Sequence, residues 1–168
     1  MFEKSADDTH EAHVAHVWEM MKEIGFCMLA SRDGEDIRSR PMAAYLERDE
    51  NRILFLTDKE SHKEEEIEAF PNVALAFADA GKHNYVAVTG RAALSNDREK
   101  IKEIFSVPAK AWWNSPDDPA IRLLIVTPKD AQYWDSPGTV RSYIKMAAAA
   151  VSSARPDMGE NEKVSLEA

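Results

Sequence analysis

The apolar residues of this chain change rhythm several times, and each change marks an element. Val14, Val17, Trp18, Met21 and Ile24 recur at helical spacing, on one face of a helix that follows Thr9 as N-cap and ends at Gly25. The rhythm then shortens. "FCMLAS" at 26–31 reads as a buried strand, Asp33-Gly34 as a hairpin signal, and "IRSRPMAAYLE" at 37–47 as the return strand. With "RILFLT" at 52–57 these predict an antiparallel meander. "VALAFAD" at 73–79 and "NYVAVTGRAAL" at 84–94 form a second hairpin across the turn at 80–83. The last long strand is "IRLLIVTPKDAQYWD" at 121–135, where Pro128 marks a bulge or bend because it cannot donate to a ladder.

Short helices separate these strands. Ser61-His62-Lys63-Glu64 fits a capping box; Ile67 and Phe70 give its helix a small apolar face, and Pro71 stops it. Asn96 with Glu99 caps another helix, which ends near Phe105 and leads into the loop "VPAKAWWNSPDDPA" at 107–120. Residues 139–151 suit a helix. The expected organisation is a flexible N-terminus at 1–9, one domain at 10–151, and a polar, flexible tail at 152–168 that frays. About six short strands with small helices between them predict a mainly β fold, a closed or nearly closed antiparallel barrel. Alternation is weak in several strands, so both of their faces are expected to be covered.

Composition narrows the function classes. A chain of 168 residues, 44% hydrophobic and 30% charged, suits one soluble globular domain. Its 30 acidic against 21 basic residues, net charge −9, argue against nucleic acid, which needs a basic face to release counterions. No apolar run approaches the roughly 20 residues of a membrane helix. The polar, acid-rich start "MFEKSADDTHEAH" lacks a secretory apolar core, so a cytoplasmic protein is expected. The lone Cys27 excludes an internal disulfide and a cysteine-based zinc site.

Against that acidic background one stretch stands out. In "FLTDKESHK" Thr57, Asp58, Lys59, Ser61, His62 and Lys63 gather where a strand ends and a helix begins. Hydroxyls, free backbone N–H groups and a positive dipole end at that point make a competent site for one phosphate. The simpler alternative is that Ser61 only caps the helix and Lys63 is solvated. Arg38 and Arg40 alternate in "RSRPM" and so emerge on the same face; two like charges on an inner face call for an anion or solvent to meet them. Two solvated arginines on an outer face are the alternative. Pro41 removes one ladder N–H, as at a strand edge where a ligand approaches.

Other candidates carry less. His10, His13 and His16 fall around the first helix, and "HEAH" lacks the second His at i+4 of a zinc-protease motif. Cys27 sits in an apolar strand with no neighbouring base, as an inert core thiol does. Trp112 and Trp113 suit a pocket, an interface or plain core packing.

The order of "RSRPM", "LFLTDKESHK", "NVALAF", "VTGRA" and "AQYWD" resembles the pyridoxamine 5′-phosphate oxidase-like family of FMN-binding split barrels, most closely its general stress protein 26 branch. The resemblance covers about residues 10–137. It implies a six-stranded antiparallel split β-barrel and FMN as cofactor. Arg40, Ser61, His62 and Lys63 would hold the FMN phosphate with Thr57 nearby, or Arg38 if the register slips by two. Pro41 and Met42 would lie along the flavin ring, and Trp134 would pack near it. A homodimer with FMN at the subunit interface is also implied.

The departures from the oxidase pattern lie on the substrate side. "WDSPGTVRSYIKM" has no Arg-x-His pattern after Trp134, and Tyr45 stands where a lysine is expected. Pyridoxamine phosphate oxidation is therefore not expected. No residue reads as a catalytic acid, base or nucleophile. An FMN-dependent oxidoreductase acting on an unidentified small molecule in a general stress response, and a non-catalytic flavin-binding or stress-sensing protein, both fit. A barrel that binds haem or a deazaflavin is a third alternative.

Overall fold

The computed structural model describes residues 6–60, 63–135 and 160–167. Helix α1 spans Ala6–Ile24 and lays Val17, Trp18, Met20 and Met21 into the core. It starts before Thr9, because nothing in Ala6–Thr9 breaks a helix and its acidic residues suit a first turn. Gly25 ends it as predicted: its φ of +74° is costly for other residues, and its N–H caps the Met21 carbonyl at 2.9 Å.

Strands β1 (Phe26–Asp33) and β2 (Asp36–Ala43) form the expected hairpin, with Gly34 at φ +61° in the turn. The return strand is not one strand. It breaks at Ala44, and Tyr45–Glu47 continues as β3, which pairs with β4 (Arg52–Asp58) rather than with β1. The predicted meander is thus two hairpins that share a split strand. After α2 (Lys63–Ala69) come β5 (Asn72–Asp79) and β6 (Asn84–Ser95), then α3 (Arg98–Ile104), α4 (Val107–Lys110), β7 (Ile121–Asp135) and β8 (Glu160–Ser165).

The strands pair in the order β2-β1-β5-β6-β7-β4-β3. The two ends of that path, β2 and β3, are consecutive in the chain, so the path returns to its start across Ala44. If β2 and β3 are taken as the halves of one strand, this is the six-stranded antiparallel split barrel.

Two cores follow from this closure. Ile53 and Phe55 point into the barrel with Leu29, Leu75, Phe77, Val88 and Tyr133. Leu54 and Leu56, on the other face of β4, pack outside it against Ile101 of α3 and Ala109 of α4. Hence β4 shows no alternation: both of its faces are covered.

The register of β6 against β7 shifts between Thr89 and Gly90, leaving Lys129 as the extra residue beside Pro128. This is the bulge that Pro128 implied. The Lys129 carbonyl then accepts from the Leu166 N–H at 2.8 Å.

That contact corrects the reading of the tail. Residues 160–167 do not fray: β8 pairs with β7, and Val164 and Leu166 are buried beside Ala131 and Tyr133. The physical reason is the short alternation Val164-Ser165-Leu166, which is enough to face the core once β7 supplies a ladder. A second correction is one residue wide. Asp97, not Asn96, caps α3, its carboxylate accepting from the Lys100 N–H at 3.0 Å; Asn96 instead receives Arg98 Nη1 at 3.3 Å. The helix expected at 139–151 lies outside the described residues.

Candidate functional site

A cleft of about 490 Å³ opens beside β2, within the roughly 300–1,000 Å³ typical of small-molecule sites. One wall is the second half of β2, Arg40 to Ala43, with Phe26 and Tyr45 next to it. The end of β4 contributes Leu56, Thr57 and Asp58, while α4 and the following loop contribute Pro108, Ala109, Trp112 and Trp113. Among the described residues β2 pairs with a strand on one edge only, so backbone polar groups at its other edge are open to a ligand.

The chain that follows the far wall is tied to α3. Arg98 Nη2 donates to the carbonyls of Pro116 at 2.7 Å and Asp118 at 2.9 Å, and Nη1 to that of Ile121 at 3.1 Å. Trp113 Nε1 donates to Asp58 Oδ2 at 3.3 Å, and the Tyr45 and Ser106 hydroxyls share a hydrogen bond of 2.6 Å. Trp112 is left 83% exposed at the rim.

The two arginines of "RSRPM" part company here. Both border a second, charged cleft with Asp33, Glu65 and Glu66, but Arg40 lines the apolar cleft as well and Arg38 does not. Each already has a counter-ion within the chain. Arg38 Nε donates to Asp33 Oδ2 at 2.6 Å. Arg40 Nη2 donates to Glu66 Oε2 at 3.3 Å, and its Nη1 to Ser31 Oγ at 3.1 Å. The like-charge argument is therefore answered first by carboxylates of this protein, and a ligand anion would be an additional partner.

The sequence-predicted residues distribute as follows. Arg40, Pro41, Met42 and Thr57 line one cleft, with Thr57 only 2% exposed. Lys63 is placed as the first residue of α2, while Ser61 and His62 lie outside the described residues. Trp134 is not in this cleft; it stands on the outer face of β7, opposite Tyr85 of β6. Phe26 connects the two places, since it lines the cleft and its strand neighbours lead across the sheet toward that outer face.

Three contacts were not foreseen: Ser31 and Glu66 on Arg40, and Asp58 on Trp113. A charged side chain shows in a sequence, but its partner on another element does not.

The remaining candidates have structural roles. His13 Nδ1 shares a 2.7 Å hydrogen bond with the Tyr133 hydroxyl, and His16 Nε2 one of 2.9 Å with Asp135 Oδ2, which fastens α1 across the barrel end. Burial pushes the Cys27 thiol up to about 12, as an inert core cysteine requires. Among the described residues no group of three His, Cys, Asp or Glu side chains is placed to hold a metal ion. No described helix is long and apolar enough to cross a membrane.

Residues 12–157 match the family model described as pyridoxamine 5′-phosphate oxidase like. The chain belongs to the pyridoxamine 5′-phosphate oxidase-like family. It is 36% identical to general stress protein 26 of Bacillus subtilis over 87 residues, which are 48% of this chain and 59% of that protein. The match thus spans less than two thirds of that relative. Protein bli-3 of Neurospora crassa is 24% identical over 78% of this chain and 68% of its own. Among solved structures, a protein of Jannaschia sp. CCS1 named as a general stress protein 26 superimposes with a TM-score of 0.71 at 28% identity, covering 92% of this chain and 98% of that one. A protein of Xanthomonas citri, named a general stress FMN/FAD binding protein, shares the fold with a TM-score of 0.67 at 24% identity, covering 77% of this chain and 92% of that one.

Proposed function

We propose that this member of the pyridoxamine 5′-phosphate oxidase-like family is an FMN-binding flavoprotein acting in redox chemistry on a small molecule. The observation that carries the reading is one cleft whose mostly apolar lining also includes Arg40 and Thr57. Pro41, Met42, Tyr45 and Trp113 suit the faces of a flat ring system, and Arg40 and Thr57 of the same lining suit its phosphate. The name of the Xanthomonas citri relative supports a flavin. Bound there, FMN would supply the electron transfer, and the protein its position and electrostatics. A non-catalytic flavin binder is the second reading. It is favoured by the Tyr45 hydroxyl and the Asp58 carboxylate, which are already engaged by Ser106 and Trp113 rather than standing free as an acid or base.

Titration with FMN and riboflavin tests the cofactor. FMN should bind more tightly, and Arg40→Ala or Lys63→Ala should weaken FMN by roughly 1.5–3 kcal/mol, about 10- to 150-fold, with riboflavin little changed. Equal affinity of the native protein for both ligands would remove the phosphate site. A strong Soret band in the untreated protein would turn the assignment to haem.

We further propose a homodimer with FMN at the subunit interface. On the outer face of the sheet, Phe26, Met28, Tyr85 and Trp134 are 55, 42, 37 and 36% exposed, with Ala76, Ala78 and Ala87 between them. An apolar sheet face with small residues at its centre suits a flat partner, and a second copy of the same face meets it across a twofold axis. Phe26 brings this face to the cleft, so Trp134 of the second copy is the residue we assign to the flavin. Light scattering should give twice the chain mass of 18.9 kDa. Mixing Arg40→Ala chains with Trp134→Ala chains should restore one intact site per heterodimer. A stable monomer with full FMN affinity would defeat the dimer, and failure of the mixed chains would count against Trp134 acting across it.

A further inference from the structure

Resting on the reading of the cleft as an FMN site, we propose that Ser31 and Glu66 are positioning residues which make it select a phosphorylated flavin over riboflavin, by holding Arg40 in place before the ligand arrives. Three hydrogen bonds close a ring. Arg40 Nη1 donates to Ser31 Oγ at 3.1 Å, Ser31 Oγ donates to Glu66 Oε2 at 3.0 Å, and Arg40 Nη2 donates to the same oxygen at 3.3 Å. The ring joins three elements: β1 through Ser31, β2 through Arg40 and α2 through Glu66.

Its members are out of solvent. Ser31 is 2% exposed, and the side chains of Arg40 and Glu66 are 19% and 10% exposed. Ile67, the next residue on α2, is buried in the barrel core, so the carboxylate that holds Arg40 is itself anchored. Low exposure on both sides of the ion pair separates it from the Arg38–Asp33 pair, which is 59% and 44% exposed.

The consequence for binding is pre-organisation. A free arginine loses its rotamer freedom when it grips a phosphate, whereas one already held has lost it on folding. The ring uses one N–H of each terminal nitrogen of Arg40, and a guanidinium has five, so donors remain for an anion. Arg40 also lines both the charged cleft and the apolar one, so one fixed side chain serves both. Glu66 offsets its charge, which leaves geometry rather than excess positive charge as the source of selectivity. Riboflavin, with no phosphate, gains nothing from the arrangement.

The test measures FMN and riboflavin affinity of the full chain and its variants. Glu66→Ala should weaken FMN about tenfold and leave riboflavin within about twofold, since it frees one side chain that only the phosphate needs. Glu66→Gln keeps an acceptor at the same position and should hold the FMN loss under about threefold. Ser31→Ala should fall between the two. In an Arg40→Ala background, Glu66→Ala should change FMN affinity no further, because its effect runs through that arginine. Glu66→Ala with an unchanged FMN-to-riboflavin ratio, with equal loss of both ligands, or with a full further loss on top of Arg40→Ala would overturn the proposal while the FMN site stands. A native protein that does not distinguish the two ligands would overturn both.

Discussion

Tyr133→Ala should lower the unfolding free energy by about 3–5 kcal/mol, the range for removing a large aromatic side chain from a packed interior. Tyr133 has no exposed surface and is the largest fully buried side chain among the described residues. Its ring lies beside the imidazoles of His13 and His16, with centroids at 6.0 and 5.1 Å, and its strand pairs with β6 on one side and β8 on the other. The hole left by alanine would thus sit where helix and strands meet. Tyr133→Phe keeps the ring and gives up the hydroxyl bond to His13, so it should cost about 1 kcal/mol. Urea denaturation of both variants separates the contributions, provided the slope with denaturant stays constant. A phenylalanine variant as unstable as the alanine one would mean that the polar contact outweighs the packing.

Leu166→Asp should cost about 3–5 kcal/mol, because it puts an unpartnered carboxylate into the barrel core. Leu166 is 6% exposed, its N–H donates to Lys129, and its carbonyl accepts from Asn51 Nδ2 at 2.7 Å. Ser165→Asp, one residue away on the exposed face, should stay within about 0.5 kcal/mol. The contrast between neighbours is the measurement. If both substitutions are equally mild by thermal melting, β8 does not dock on β7 in solution.

That pair also shows where the chain's own pattern stops being informative. β5 and β6 alternate cleanly because one face is buried and the other is not, so they read directly as strands. Around β8 only Val164 and, just past its end, Leu166 carry the signal, inside "GENEKVSLEA", and a polar majority reads as tail. The break at Ala44 had no local cause to announce it. It follows from barrel closure, which needs the two halves of one segment on opposite ends of the sheet. Pro128, by contrast, forces its bulge through a missing N–H and was legible in isolation.

The site divides in the same way. Arg40, Pro41, Met42 and Thr57 came from a strand and a strand end whose order resembled a known family, and they line one cleft. Arg40 was readable as a charge, but not as a charge held by Glu66, because the two lie on different elements 26 residues apart. Asn96 and Asp97 are near-equal cap formers, so only the fold of the turn could choose between them.

The return of the sheet to its own beginning also governs how the molecule can be made. β1 finds its second partner only in β5, and β4 must wait for β7, whose pairing residues begin at Ile121. Until then the strand Ile53–Thr57 has two greasy sides and neither cover, and the chain leaving a ribosome carries it bare. Pairings this distant along the chain slow folding and lengthen that exposure. Most of the chain must therefore emerge before this protein can hide its stickiest segment, and holdase chaperones should meet the nascent chain between β4 and β7.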